Sequence, residues 1–485
     1  MRFCFNADKA AFPANRTGNH QGDYMIPLNS KGVRWSASFI CAIVATFLLQ
    51  SNSSHSITLY WFGTILAIGI FAFDLLPTFV TAFLLLIFYI LTGVSSPDTV
   101  FSGFLSPIPW MCLSGMLIGV LMEKNGLASR IALFTVSRIG TTPIRLYLAF
   151  LTAGYLVSAI IPDTITVTII FMAIASGMCH SLNLPQSSRA ASTLILAAFF
   201  GSNISSASFL PNNIGLPGLI MVQDMGITFS WVGFFVENLP YELLNALVSF
   251  TILHFFGSRE LERYINAFRN SAACELEALG SMSMREKKTL LLALVALLAF
   301  ATESLHSLPG YYAFCAVVLL GFTPIFNLLS TNDLKEVQFP ILFFIVGCMA
   351  IGTVAGELGL PAWLAQNLQP FLEQFNSGPL VSLFAYWTGI VTNMVLTPIA
   401  AATSLSVPMG EIATSLDLTI KPVLYSFLYG LDQFILPYEL TPALIMFATG
   451  YVRIKDLLVV MPLRMLGTSV AVVIVAAFCW PALGI

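Results

Sequence analysis

The sequence predicts an all-α polytopic membrane protein with about 11 transmembrane helices and two re-entrant hairpins, arranged as two inverted-topology repeats. Of its 485 residues, 57% are hydrophobic and only 9% are charged, whereas soluble domains carry about 25% charged residues. Fifteen apolar runs follow one another along the chain, and one long polar stretch, 257–288, divides them into halves of similar length. This composition excludes a soluble enzyme, a nucleic-acid-binding protein and a disordered chain.

The basic residues predict the topology, because cytoplasmic loops of membrane proteins collect lysine and arginine. If 145–180 and 379–412 each enter and leave the membrane on one side, 20 of the 21 basic residues lie on the cytoplasmic side, and Lys421 is the exception. Each of these segments is then a re-entrant hairpin. The N-terminus lies inside, the C-terminus outside, and the two halves are inverted. We expect the cell inner (plasma) membrane as the location.

The chain divides into five parts in this interpretation. They are a cytosolic N-terminal tail (1–34), a first lone transmembrane helix (35–56), repeat one (57–256), a cytosolic linker (257–288) and repeat two (289–485). The tail is polar and has no apolar region of the kind that a secretory signal needs.

Two motif pairs indicate an internal duplication. Residues 116–127 and 349–360 share the pattern Met-x-Ile-Gly-x6-Gly-Leu at an offset of 233. The segment that begins at Pro217 matches the one that begins at Pro442 at an offset of 225. Inverted repeats with interrupted helices are typical of secondary transporters, whose binding site lies near the membrane midplane between the repeats.

Each predicted hairpin carries polar residues at its middle. In the first, Pro162, Asp163 and Thr164 interrupt the apolar sequence, and in the second Thr397 lies 234 positions after Asp163 and precedes Pro398. An ionisable residue inside a membrane segment costs roughly 2.5–3.5 kcal/mol, so it indicates a functional site. A proline also frees backbone carbonyls. We therefore interpret the tips as places where oxygen atoms coordinate a cation.

Two further interruptions predict broken helices. The first is the run 201–213, rich in serine and asparagine, and the second is 432–442, which contains Asp432 and Glu439. Helix N-termini at such breaks favour an anionic ligand. An acid at this depth either titrates or binds a cation, and a lysine or arginine partner is the alternative, although the nearest basic residues in sequence lie at the membrane edge.

The order of these four elements, together with LPYELTPALIMFATGY at 436–451, resembles the divalent anion:sodium symporter family of the ion transporter superfamily. The resemblance covers most of residues 57–485. It implies a cation-coupled secondary transporter of a small anion (a di- or tricarboxylate, or sulfate-like), with alternating access and a homodimer. Both tip asparagines of the family are replaced here, by Asp163 and Thr397.

The resemblance also assigns candidate site residues. The cation-binding candidates are Ser158, Asp163, Thr392, Thr397 and Glu439. The substrate-binding candidates are Thr164, Ser202, Asn203, Ser205, Asn212, Pro398, Thr441 and Pro442.

The coupling ion is left open as sodium or a proton, and we expect no other cofactor or metal. The buried acids keep an alternative function open, namely a proton-coupled carrier or cation/proton antiporter of the same superfamily. The sequence has no HExxH or GxSxG motif, so an intramembrane enzyme is not expected. Two asymmetric hairpins fit a transporter with alternating access better than they fit a passive channel.

Overall fold

The ranges that the computed structural model describes contain helices and no strands, which confirms the predicted all-α class. The described ranges are 31–49, 55–72, 75–161, 163–186, 188–210, 212, 215–302, 310–337, 339–360, 363, 377–394 and 396–485. Most of the predicted N-terminal tail, and the prolines Pro162 and Pro211 of the two predicted interruptions, lie outside these ranges.

The first half of the chain contains eleven described helices, followed by one helix in the linker. They are α1 (Lys31–Leu49), α2 (His55–Ala72), α3 (Thr78–Leu91), α4 (Pro97–Leu105), α5 (Pro107–Lys124), α6 (Leu127–Ile139), α7 (Pro143–Ser158), α8 (Thr164–Ser181), α9 (Arg189–Ala207), α10 (Gly215–Met221), α11 (Trp231–Glu262) and α12 (Ile265–Ala278). Helix α11 extends beyond the predicted end of repeat one at 256, because Gly257, Ser258 and Leu261 remain buried.

The second half repeats the same kinds of element. Its helices are α13 (Met284–Ala301), α14 (Gly310–Phe322), α15 (Phe339–Glu357), α16 (Gly378–Asn393), α17 (Pro398–Ser415), α18 (Ile420–Leu431), α19 (Thr441–Ala448) and α20 (Ile454–Ile474), which a π-turn continues to Leu483. We call α7 with α8 hairpin one, α9 with α10 broken helix one, α16 with α17 hairpin two, and α18 with α19 broken helix two.

The repeated motifs adopt equivalent structures in the two halves. The glycine that closes each Met-x-Ile-Gly motif has a left-handed backbone, with φ of 72° at Gly126 and 71° at Gly359. In each half a hairpin, a broken helix and a long helix with an internal proline follow, and these prolines are Pro240 in α11 and Pro462 in α20. The same order of elements in both halves agrees with the predicted duplication.

Each hairpin packs tightly against the broken helix of its own half through a pair of glycines. A Cβ atom at Gly154 would lie 2.2 Å from the carbonyl oxygen of Gly201. A Cβ atom at Gly389 would lie 2.9 Å from the Cα atom of Gly430. The second segments are exchanged between the halves: α10 packs on α17 of hairpin two, and α19 packs on α8 of hairpin one. The four breaks are therefore held in one central region.

The outer surface is apolar, as a lipid-facing surface requires. Large side chains such as Leu91, Phe255 and Phe478 are exposed, and a surface this apolar indicates contact with a membrane or a partner. Among the described helices, three are long and apolar enough to cross a bilayer by length and composition: Arg189–Ala207, Trp231–Glu262 and Ile454–Leu483.

Candidate functional site

A partly enclosed cavity lies where hairpin one, broken helix one, α11 and α18 meet. Its polar lining side chains are Thr164, Asn203, Asn212, Asn238, Tyr241, Glu242, Tyr425, Tyr429 and Asp432. None of the described lining residues is a lysine or an arginine. A concave pocket between helices with a few convergent polar groups is the arrangement that binds small molecules.

Asp432, at the C-terminal end of α18, pairs with Arg464 of α20. The Nη2 atom of Arg464 lies 3.3 Å from Oδ2 of Asp432, and its guanidinium carbon lies 5.3 Å from the centre of the Phe200 ring. Arg464 is only 1% exposed. For Asp432 the structure therefore favours the alternative of a basic partner, because the packing of α20 against α11 places Arg464 in the protein interior.

Asp432 also connects the two broken helices. The side-chain amide of Asn203, in broken helix one, donates to Oδ1 of Asp432 at 2.9 Å. The two residues stand at corresponding places, each two positions after a glycine of a tight crossing (Gly201 and Gly430). A single carboxylate therefore contacts one side chain from each half of the protein.

Glu242 of α11 is the second buried acid of the cavity. It is 1% exposed, and its Oε2 accepts from the Asn245 side-chain amide at 3.2 Å. Asn245 in turn accepts from Nε of Arg464 at 3.2 Å. The aromatic wall beside Glu242 consists of the Tyr241 and Tyr429 rings, whose centres lie 3.6 Å apart in nearly parallel planes. An ionised carboxylate in such surroundings is costly unless a counter-charge accompanies it.

The tip of hairpin one contains two of the predicted cation-binding residues. The Ser158 hydroxyl lies 3.2 Å from that of Ser205 and 3.0 Å from that of Ser206, so three hydroxyl groups cluster beside the break. Asp163 is the N-cap of α8, where it accepts from the backbone N–H of Thr166 at 3.0 Å. Aspartate is preferred at this position because it satisfies free N–H groups and complements the helix dipole.

The tip of hairpin two is built in a similar way. Thr397 is the N-cap of α17, and the Thr392 hydroxyl donates to a backbone carbonyl four residues earlier at 2.8 Å. Glu439 accepts from two backbone N–H groups of its own turn, each at 3.1 Å. Thr392 and Thr397 therefore stabilise the backbone at the tip of hairpin two, and Glu439 stabilises the turn in broken helix two.

Two buried amide oxygens next to this tip lack a hydrogen-bond donor among the described residues: Oδ1 of Asn393 and Oε1 of Gln433. The Asn393 amide nitrogen donates to the backbone carbonyl of Gln433 at 2.7 Å, and the Gln433 amide nitrogen donates to that of Tyr429 at 3.3 Å. Because a carbonyl can only accept, both amide orientations are fixed with the oxygen left over. Leaving such an oxygen buried without a hydrogen bond destabilises the fold by about 1–3 kcal/mol. Amide oxygens are also ligands that hard cations prefer.

Comparison with known proteins identifies the family. The sequence profile of the CitMHS citrate transporter family matches residues 68–430, about three quarters of the chain. The chain belongs to the CitMHS citrate transporter family. It is therefore a membrane transporter and not an enzyme, as the sequence indicated.

Relatives of this CitMHS member include proteins named as carboxylate transporters. The sodium-dependent dicarboxylate transporter SdcS of Staphylococcus saprophyticus is 24% identical over 444 residues, covering 85% of this chain and 84% of that protein. The L-tartrate/succinate antiporter of Shigella dysenteriae serotype 1 is 24% identical over 383 residues, covering 73% and 74%. These relatives confirm the resemblance to divalent anion:sodium symporters.

A solved structure shares the fold of this CitMHS member. The crystal structure of the YdaH transporter from Alcanivorax borkumensis has a TM-score of 0.51 at 14% identity, covering 79% of this chain and 87% of that one. A similarity of this size shows a common transporter fold.

Three of the eight predicted substrate-binding residues line the cavity of this CitMHS member: Thr164, Asn203 and Asn212. Two more, Ser202 and Ser205, are buried within broken helix one. The remaining three, Pro398, Thr441 and Pro442, lie in the first turns of α17 and α19. The role of all eight in binding stays a prediction.

Sequence reasoning missed Glu242, Asn245 and Arg464. Glu242 and Arg464 lie inside the apolar runs 229–256 and 457–481, and an ionisable residue inside such a run is the signal that identifies a functional position. The topology count assigned Arg464 to the cytoplasmic side, whereas the structure buries it.

Proposed function

We propose that this transporter moves a small di- or tricarboxylate, or a sulfate-like anion, by secondary active transport coupled to a cation. The names of the relatives, which specify dicarboxylate, tartrate and succinate, favour a carboxylate as the substrate. Alternating access carries the anion between the two sides of the membrane.

The observation that carries this proposal is the pair of interlocked hairpin and broken-helix units around one polar cavity. The second segment of each broken helix packs on the hairpin of the other half, so movement of one unit changes the contacts of the other. Transporters built from repeats bind their substrate between such discontinuous helices. The cavity at this place, with Thr164, Asn203 and Asn212 in its lining, is the candidate substrate site.

Helix lengths support the proposed re-entrant hairpins. The arms have 16 residues in α7 and α16 and 18 residues in α8 and α17, which correspond to about 24–27 Å at the rise of an α-helix. The hydrocarbon core of a bilayer is about 30 Å thick. The distribution of lysine and arginine in the sequence supports about 11 spans, an inverted relation of the halves and a cytoplasmic N-terminus. Accessibility of single cysteines placed at the two tips from either side of the membrane tests the topology.

We propose two cation sites at the hairpin tips. The first contains Asp163 and the hydroxyl group of Ser158. The second contains Thr392, Thr397 and Glu439, and the unpaired oxygens of Asn393 and Gln433 are additional ligands for it. The name of the relative SdcS, which specifies sodium dependence, favours sodium as the ion at these sites.

A second candidate is a proton-coupled carrier or a cation/proton antiporter. The observation that favours it is the acidic cavity, in which Glu242 and Asp432 face a space with no basic residue in its described lining. An anion enters such a cavity only when a cation or proton offsets the acids.

Counterflow in proteoliposomes tests the proposal. Purified protein is reconstituted with unlabelled substrate inside, and uptake of labelled succinate, tartrate, citrate or sulfate is measured with a sodium gradient, a pH gradient or neither. We expect counterflow of at least one carboxylate and concentrative uptake with one of the two gradients. The proposal is contradicted if the protein exchanges none of the four anions, or if it equilibrates them without saturation.

We also propose a homodimer, by analogy with the divalent anion:sodium symporter family. Cross-linking in membranes together with light scattering in detergent tests the assembly. A single protomer in both measurements contradicts it.

A further inference from the structure

The buried charges around the cavity do not balance. Two carboxylates, Glu242 and Asp432, face one guanidinium, Arg464, so the cluster carries a net charge of −1 when all three are ionised. Arg464 contacts Asp432 directly, whereas it reaches Glu242 only through Asn245. Glu242 is therefore the acid without a directly paired cation in the described part of the cluster.

Among the residues that the structure describes, the surroundings of Glu242 supply no other opposite charge. The titratable groups within electrostatic range come from each helix packed around it: Tyr155 of α7, Tyr241 of α11 itself, Tyr429 and Asp432 at α18, and Arg464 of α20. The three tyrosines are neutral phenols at physiological pH.

Independent of the acids, two unpaired polar atoms face the same cavity. The Tyr241 hydroxyl and Oδ1 of Asn203 are buried, and neither has a hydrogen-bond partner among the described residues. Tyr241 and Asn203 are each 1% exposed. A donor and an acceptor left open beside a carboxylate indicate that the cavity is built to hold a polar ligand.

We propose that Glu242 is the proton site that couples transport. It takes up a proton from one side of the membrane, the substrate carboxylate binds while Glu242 is neutral, and both leave on the other side, where Glu242 returns to the carboxylate. This inference rests on the proposed function, because it names the coupling group of the same cavity.

The geometry favours a proton over sodium at this position. A proton needs a single carboxylate oxygen, whereas a hard metal cation needs several oxygen ligands. The described neighbour of Oε2 is an amide N–H donor from Asn245, which offers no oxygen to a cation. Across the described residues, no group of three or more His, Cys, Asp or Glu side chains gathers as a metal site.

A chain of contacts also links Glu242 to the two broken helices. Asn245 contacts both Glu242 and Arg464, Arg464 contacts Asp432, and Asp432 accepts from Asn203. This chain of contacts runs from α11 through α20 to the breaks of both broken helices. When Glu242 is neutral, the charges of Arg464 and Asp432 balance each other.

Proton movement in proteoliposomes tests this inference. Wild type and Glu242→Gln are reconstituted in sodium-free buffer with a pH-sensitive dye inside, and a carboxylate that supports counterflow is added outside. Wild type is expected to acidify the interior on substrate entry. Glu242→Gln, which cannot exchange a proton, is expected to lose this acidification, expressed per amount of labelled substrate that enters.

The pH dependence provides a second readout that does not depend on the variant's yield. In wild type the apparent KM for a dicarboxylate that stays fully ionised is expected to rise with pH, by up to about tenfold per unit once Glu242 ionises in the empty site. Glu242→Gln is expected to show a flat profile. Glu260→Gln, the same change at an exposed position of α11, is the matched control and should behave as wild type.

Three outcomes overturn the inference and leave the proposed function intact. They are counterflow by wild type without proton movement, acidification by Glu242→Gln equal to wild type, and a wild-type KM that does not change with pH. Absence of counterflow in both proteins, also when sodium is present on both sides of the membrane, contradicts the proposed function itself.

Discussion

The crossing between hairpin two and broken helix two leaves no room for a methyl group at Gly430. A Cβ atom there would lie 2.0 Å from the carbonyl oxygen of Tyr386 and 2.9 Å from the Cα atom of Gly389. Contacts between a carbon and a carbonyl oxygen at helix interfaces have distances of about 3.3–3.6 Å, so the helices must separate by roughly 1.3 Å. Overpacking of this kind costs about 1–3 kcal/mol, and we expect Gly430→Ala to lower stability by that amount.

The same substitution is expected to reduce transport. Gly430 lies two and three residues before Asp432 and Gln433, and the opposing helix carries Asn393, so the separation acts directly on the contacts at the break. A displacement of about 1 Å in a positioned site lowers activity by up to about 100-fold. Thermal unfolding in detergent and counterflow in proteoliposomes measure the two effects.

Gly356→Ala is the matched control for this experiment. A Cβ atom at Gly356, near the end of α15, meets nothing within 4 Å. Alanine is favoured over glycine in a helix by up to about 1 kcal/mol, so this variant should be unchanged or slightly more stable. If Gly430→Ala unfolds at the same temperature as Gly356→Ala and exchanges substrate equally fast, the tight crossing is not a determinant of stability or transport.

Three further changes test other parts of the structure. Asp163→Asn keeps a good N-cap and should weaken or alter the cation dependence of uptake in a folded protein, whereas Asp163→Ala should also lose about 1 kcal/mol of stability from the cap. Arg464→Gln leaves Asp432 charged and buried, which costs about 3–5 kcal/mol, and the added Asp432→Asn change should recover most of that loss in a double-mutant thermal unfolding series. Burial favours the protonated form of Asp333, but hydrogen bonds from Lys124 and its own turn outweigh it and lower the pKa of Asp333 below its ordinary 3.8. The stabilisation from Asp333 is therefore complete above pH 3.8 and is lost as the pH falls below it, so the unfolding temperature of wild type should fall more steeply than that of Asp333→Asn in acid.

Each of these predictions has a result that contradicts it. Unchanged sodium and pH dependence in Asp163→Asn means that Asp163 is only a helix cap. Additive losses in the Arg464 and Asp432 variants mean that the two side chains do not interact. Parallel acid curves for wild type and the Asp333 variant mean that the contact with Lys124, which is 38% exposed at its side chain, contributes nothing measurable.

Much of this protein is determined by local sequence. Composition alone fixes a helical membrane protein, because an apolar segment in lipid must satisfy its backbone within one helix. The polar interruptions mark where helices break, and Asp163 and Thr397 indeed begin α8 and α17 as N-caps. The Met-x-Ile-Gly pairs mark two helix ends, because Gly126 and Gly359 both adopt a left-handed backbone there.

Only the tertiary structure decided which polar residues meet. Arg464 reaches Asp432 across 32 positions, and Asn203 reaches it across 229. The free-energy cost of placing each of these groups in the membrane can be read from the sequence, because it depends on the type of that single residue. The contacts that offset the cost belong to pairs of helices, and the chain order of α9, α11, α18 and α20 carries no information on which of their faces lie together. For that reason the acids of the break were predicted from the sequence, whereas Arg464, Asn245 and the uncompensated Glu242 appear only after the helices are packed.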